Sequence, residues 1–198
     1  MDRKFAVGVH AGTAGIGLDA SGTVIRNLNA RVNVSMFSYS TNGTYEDDEP
    51  NLDYSVDGST ASGSLVFDYF PTGRIFKLSA GLYYMDFSVD GFATPNEAYE
   101  LNNKVFQPER MGSLAAKVDY GSKIMPYAGL GFGNPLSPGS RLTFNFDLGV
   151  LYAGSPRFRM EGEGLISATA RQDRNIQNGL SAFNFYPILR TGFTYRIN

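Results

Sequence analysis

One histidine, one run of four acidic residues and a set of isolated charges are the residues here with chemistry to offer. His10 sits in a Gly-rich stretch, with Gly8 and Gly12 at alternate positions beside it. Serine-type hydrolysis would need a nucleophile and a carboxylate next to it, and no spacing nominates either. A histidine facing the interior or an interface is the plainer reading, so the chain is not read as an enzyme. Glu46, Asp47, Asp48 and Glu49 form an acidic loop. Hard divalent cations prefer such oxygens, which makes the run a candidate cation-binding loop. It has no EF-hand spacing, however, and a solvated acidic loop is the plainer reading.

Cysteine is absent, which removes thiolate catalysis, disulfides and Cys-based metal sites together. No metal site and no cofactor are nominated. Gly15-Ile16-Gly17 and Gly129-Leu130-Gly131 do not open a helix after a strand, as a phosphate cradle must. With 198 residues and a net charge of −2, the chain fits a single domain over 1–198. It has no basic footprint for nucleic acid.

The remaining charges make sense only once the elements that carry them are drawn. The dominant pattern is alternation with period two, the mark of strands. In residues 24–38, Leu28, Ala30, Val32, Val34 and Met36 share one face, and Asn27, Asn29, Arg31, Asn33 and Ser35 the other. Residues 75–84 and 141–152 repeat it. Strands are expected near 5–18, 24–40, 53–70, 75–90, 112–120, 124–134, 141–152 and 183–197. Tight connections are expected at Asp19-Ala20-Ser21-Gly22, Phe70-Pro71-Thr72-Gly73 and Tyr120-Gly121-Ser122-Lys123. Longer loops cover 41–52, 91–111 and 154–182, the last with a short helix near 166–180.

The polar face decides between a soluble and a membrane sheet. It carries Gly, Ser, Asn and Thr rather than the long charged residues that dress a soluble surface. Small residues suit the narrow interior of an eight-stranded barrel. The apolar face ends in Tyr69, Tyr84, Tyr120, Tyr152 and Tyr195, as an interfacial girdle would. The expected fold is therefore all-β, a transmembrane antiparallel up-and-down barrel of eight strands. Ten strands are the alternative, reached by a further strand at 157–166 and a break of the first near Gly12-Thr13. A soluble β-sandwich or lipocalin-like binder of an apolar ligand is the competing reading. In the barrel, Arg31, Asp68, Lys77, Lys117, Asp119, Asp147 and Arg190 fall opposite lipid and form a lumen network, either a static polar plug or a narrow passage for small solutes. Met1-Asp2-Arg3-Lys4 is followed by no apolar run long enough for a signal peptide, so the chain reads as a mature form.

Two stretches carry a specific likeness. Residues 126–134, Pro-Tyr-Ala-Gly-Leu-Gly-Phe-Gly-Asn, and Phe146-Asp147-Leu148-Gly149-Val150 followed by Gly154-Ser155-Pro156, resemble a widespread, poorly characterised family of Gram-negative outer-membrane β-barrels. More distantly they are similar to OmpA- and OmpW-type small barrels. The resemblance implies a porin-like location in the bacterial outer membrane, lipid and lipopolysaccharide as surroundings, and no enzyme. The closing segment Gly192-Phe193-Thr194-Tyr195-Arg196-Ile197-Asn198 is similar to the signal read by the outer-membrane assembly machinery, although such signals usually finish on Phe.

Overall fold

In a computed structural model the chain is described over residues 4–45, 51–72, 75–96, 99–101, 104–106, 112–121, 123–139, 141–162 and 184–198. Its elements are β1 (Phe5–Gly12), β2 (Gly15–Ile25), β3 (Leu28–Tyr45), β4 (Leu52–Tyr69), β5 (Phe76–Pro95), β6 (Tyr99–Leu101), β7 (Lys104–Phe106), β8 (Leu114–Tyr120), β9 (Ile124–Phe132), β10 (Leu142–Tyr152), β11 (Pro156–Gly162) and β12 (Phe185–Arg196). All pairings are antiparallel, and because β5 pairs with β9 as well as with β4, the strands β1, β2, β3, β4, β5, β9, β10 and β12 close into a ring of eight. β6 and β7 form a separate small hairpin.

The ring has the expected number of strands, although not the strands expected. The segment 5–18 is two strands, because the chain reverses at Thr13-Ala14 with Gly12 opposite Gly15. Gly15 takes a φ of 105° there, a conformation open mainly to glycine. Asp19-Ala20-Ser21-Gly22 lies in the middle of β2 and is not a turn. The next reversal comes at Arg26-Asn27, where Asn27 adopts a left-handed φ of 64°, which Asn tolerates better than most residues.

A second correction concerns 112–134. Lower β5, from Phe76 to Tyr84, pairs with β9, while upper β5, from Ser88 to Ala93, pairs with β8. Thus β8 and β9 lie in line along one edge of β5, interrupted at 121–123, and are not a hairpin. β10 and β11 are likewise in line across 153–155, since β10 pairs with β9 and β11 with β8. The segment offered as a further strand is the continuation of β10. The predicted loop helix at 166–180 and the acidic run Glu46–Glu49 lie outside the described residues.

Upper β3, β4 and β5 with β8 and β11 therefore form a five-stranded wall that stands above one end of the ring. β12 stops at the rim, where Phe185 pairs with Tyr152, and β1–β2 stop beside Met36. The chain ends meet at the opposite end, where the Phe5 amide donates to Asn198 Oδ1 at 2.7 Å and the Ile197 amide to the Phe5 carbonyl.

Burial is inverted relative to a soluble sheet. Arg31, Asp68, Lys77, Asp147 and Arg190 are buried, together with a row of Ser, Asn and Thr. Val9, Leu18, Val34, Leu65, Leu82, Leu130, Leu148 and Phe193 are exposed. Water is no stable solvent for a continuous apolar girdle of this size, whereas a closed barrel satisfies its own backbone and can face hydrocarbon. Tyr84, Tyr152 and Phe185 rim the apolar band at the wall end, and Tyr69 and Tyr195 at the other. The protein is a transmembrane β-barrel, and this inversion displaces the soluble-sandwich reading.

Candidate functional site: a charge-balanced lumen

Inward-facing side chains of three other strands converge on Asp147 of β10. The carboxylate of β10 accepts from Lys77 Nζ of β5 at 2.8 Å, from Arg190 Nη2 and Nε of β12 at 2.8 and 3.0 Å, and from Arg31 Nη1 of β3 at 3.3 Å. Arg31 also grips Asp68 of β4 with both arms of its fork, Nε to Oδ2 at 2.9 Å and Nη2 to Oδ1 at 3.0 Å. Ser79 Oγ donates to Asp68 Oδ1 at 2.6 Å. On the far side Asp19 of β2 lies 3.1 Å from His10 Nδ1 and 3.8 Å from Arg190 Nη1.

Three cations and three carboxylates thus share the interior, Arg31, Lys77 and Arg190 against Asp19, Asp68 and Asp147, all buried. An unpaired charge in such a place would be strongly destabilising, so the balance is what permits the burial. Glycine makes the room: a Cβ on Gly131 would come within 2.9 Å of both Asp147 Oδ1 and Lys77 Cε. The small residues of the polar face are there because long ones already fill the centre.

The network is capped on both sides. Toward the wall, Val66, Met85, Met125, Leu151 and Ile188 pack with Tyr83 and Tyr127, whose rings are 5.2 Å apart. Above them Phe87, Tyr120 and Tyr186 form an aromatic triangle with centroid separations of 5.7 to 6.2 Å. At the terminal end, Leu136 and Phe70 are buried. Asn134 Oδ1 accepts from Asn29 Nδ2 at 3.3 Å, and the Leu136 carbonyl accepts from Lys4 Nζ at 3.3 Å. A cavity of about 10 Å³ remains beside the network, bounded by His10, Asn33, Tyr83 and Arg190, enough for about one water. Asn33 Nδ2 and Arg190 Nη1 are buried there without a hydrogen-bond acceptor.

Of the seven charges assigned to the lumen from sequence, five meet there. Lys117 and Asp119 do not. They lie on the outer face of the wall, where Lys117 pairs with Asp90 at 2.9 Å and Asp119 with Arg159 at 3.7 Å. The break at 121–123 shifts the facing by one residue: Met125 and Tyr127 of β9 point inward, whereas in β8 the residues opposite inward Val89 and Gly91 are Val118 and Ala116. Asp19 escapes the sequence reading because its own segment has the composition of a turn. As part of a strand it shares a face with Gly17 and Ser21, and that alternation is the signal that finds it. His10 meets a carboxylate rather than a hydroxyl.

No family model matches this chain, and no curated protein matches it. Among solved structures it is similar to Acinetobacter baumannii CarO2, with a TM-score of 0.66 and 17% identity over 98% of both chains. It is also similar to Acinetobacter baumannii CarO, with a TM-score of 0.60 and 17% identity over 96% of both. A looser likeness, TM-score 0.48 at 16% identity over the whole of both chains, is to a major outer membrane protein from Thermus thermophilus. At such identities the likeness is one of fold.

Proposed function

We propose that this chain is an integral β-barrel of a bacterial outer membrane whose role is structural, a closed anchor that holds a five-stranded wall outside the bilayer. The observation that carries this reading is the lumen. A charge-balanced ionic layer lies between an apolar plug and a capped terminal end, and all its members are buried. Such a barrel holds its shape without offering an open path. The ends suit the placement: the chain termini and the two-residue Arg26-Asn27 reversal share one end, as periplasmic turns do, and the wall stands at the other. The outer-membrane assembly machinery would read the closing strand β12, whose Leu189, Phe193 and Tyr195 alternate outward, and lipopolysaccharide would surround the wall.

A narrow passage for small solutes is the second reading. The small cavity favours it, because Asn33 Nδ2 and Arg190 Nη1 are two donors beside one void. Planar-bilayer recording separates the two. A quiet membrane containing heat-modifiable, folded protein supports the closed anchor. Stable unitary steps that grow when Asp147 is neutralised support the passage and overturn the anchor.

A further inference from the structure

On the outward side of the wall the described residues change from apolar to polar, with a single large exception among them. Phe92 points away from the lumen on upper β5 and is 47% exposed. Its direct cross-strand neighbours, Ser55 on β4 and Ala115 on β8, are small, and the longer side chains of Lys117, Arg159 and Glu161 bound the groove on the β8 side. Two grooves, of 380 and 490 Å³, meet at it. Around the ring they present Ser55, Asp57, Asp90, Asn42, Thr44 and Thr94, short hydroxyl, amide and carboxylate groups on rigid strands.

From this we infer that the outer face of the wall binds a saccharide, with Phe92 as the platform for a sugar ring. A pyranose has one apolar C–H face and a rim of hydroxyls. An isolated aromatic ring answers the first, and fixed oxygen acceptors answer the second, charge-assisted ones most strongly. Asp57 is suited to accept from those hydroxyls. It stands directly opposite Asp90, yet Asp90 is engaged by Lys117 at 2.9 Å and Asp57 has no ion pair among the described residues. Asp53, by contrast, already accepts from Thr44 Oγ1 and Asn96 Nδ2 at 2.7 and 2.9 Å and shapes the groove instead. A few such contacts around a small apolar centre are the usual composition of a small-ligand site.

Height agrees with the chemistry. The apolar band ends at Tyr84, and β5 rises roughly 3.3 Å per residue. With barrel strands tilted by about 40°, Phe92 stands on the order of 20 Å beyond the band, in the layer that saccharides of lipopolysaccharide occupy in an outer membrane. The inference rests on the outer-membrane placement proposed above for the source of its ligand, though not for the site itself. The same face is open to a glycan arriving from outside.

Saturation-transfer NMR on detergent-refolded protein tests it, with two probes: lipid-free core oligosaccharide released from lipopolysaccharide, and N-acetylglucosamine oligomers. Irradiating aromatic protons should saturate ring protons of at least one probe. Phe92→Ala should weaken that binding at least about tenfold, and Phe92→Tyr should keep it. A signal with the core oligosaccharide assigns the site to the surrounding lipopolysaccharide, and a signal with the oligomers alone assigns it to external glycans. No transfer to either, or equal binding by Phe92→Ala, overturns the proposal. A heat-dependent gel shift in each sample shows the barrel folded, so failure of the site is distinguishable from failure of the barrel.

Discussion

Tyr84 and Asp86 occupy successive outward positions on β5, and the bilayer surface passes between them. Tyr84 is the last exposed apolar residue of the band on this strand, whereas Asp86 accepts from Lys123 Nζ at 2.8 Å in the open. β4 changes at the same level, since Ala61 pairs with Asp86 and is followed outward by Ser59, Asp57 and Ser55. β3 does so after Met36, with Ser38 and Ser40. One side of one strand thus meets two solvents. Replacing Leu82 by Arg should cost about 2–4 kcal/mol in lipid, the expense of a cation within the bilayer. Ser88→Arg, beyond the boundary, should change stability by less than about 0.5 kcal/mol. Urea titrations of both variants in lipid vesicles measure the difference, and equal costs would remove the boundary.

Asp147 answers three cations at once, so its loss is not the loss of one pair. Asp147→Asn leaves Arg31, Lys77 and Arg190 facing two carboxylates, and the destabilisation should be about 3–5 kcal/mol. Adding Lys77→Met restores the charge balance and should recover a substantial part of it. The unfolding midpoint of the double variant checks this, and a purely additive loss would refute the coupling.

The two lysines that the sequence pattern puts in one network should behave very differently. Lys77 is buried against Asp147, and Lys117 is about half exposed beside Asp90. Lys117→Met should cost at most about 1 kcal/mol, the value of a surface pair. Lys77→Met alone leaves a buried negative charge in excess and should cost several times as much, on the order of 3 kcal/mol. Parallel denaturant curves compare them directly.

Gly149 is a packing residue. A Cβ there would come within 2.5 Å of the Tyr127 ring and 2.6 Å of the Ala128 carbonyl oxygen. Gly149→Val should therefore destabilise by about 1–3 kcal/mol through overpacking, which thermal unfolding in detergent would register. Tyr127→Ala in the same chain should relieve only the ring's share, since the carbonyl stays in place.

Much of this is legible because alternation is strict wherever one face meets lipid. The barrel parts of β3, β4 and β5 and the strands β10 and β12 declare their facing, and with it Arg31, Asp68, Lys77, Asp147 and Arg190. The errors arise where that constraint lapses. In β8, outside the bilayer, Lys117 and Val118 both have water within reach, and neither residue type reports which side is inner. Asp19-Ala20-Ser21-Gly22 has the composition of a turn, yet short polar residues are also what a crowded barrel interior admits. The in-line breaks at 121–123 and 153–155 contain Gly121, Gly154 and Ser155, residues that also make turns, and only pairing with β5 and β9 tells a bulge from a reversal. The apolar plug is hidden in the sequence because Tyr83, Met125 and Leu151 follow apolar residues, Leu82, Ile124 and Val150, so that alternation lapses there, and their meeting depends on register between strands.

Apolar residues of this barrel face lipid and its charged network faces the lumen. The absence of native cysteine allows spin labels to be placed singly at residues 78, 80, 82, 84, 86 and 88, the outward positions of β5, in vesicle-reconstituted protein. Accessibility to oxygen should dominate over a water-soluble nickel chelate from 78 to 82, fall at 84, and reverse by 88. Chelate accessibility at all six positions would contradict the membrane barrel and return the chain to the soluble folds.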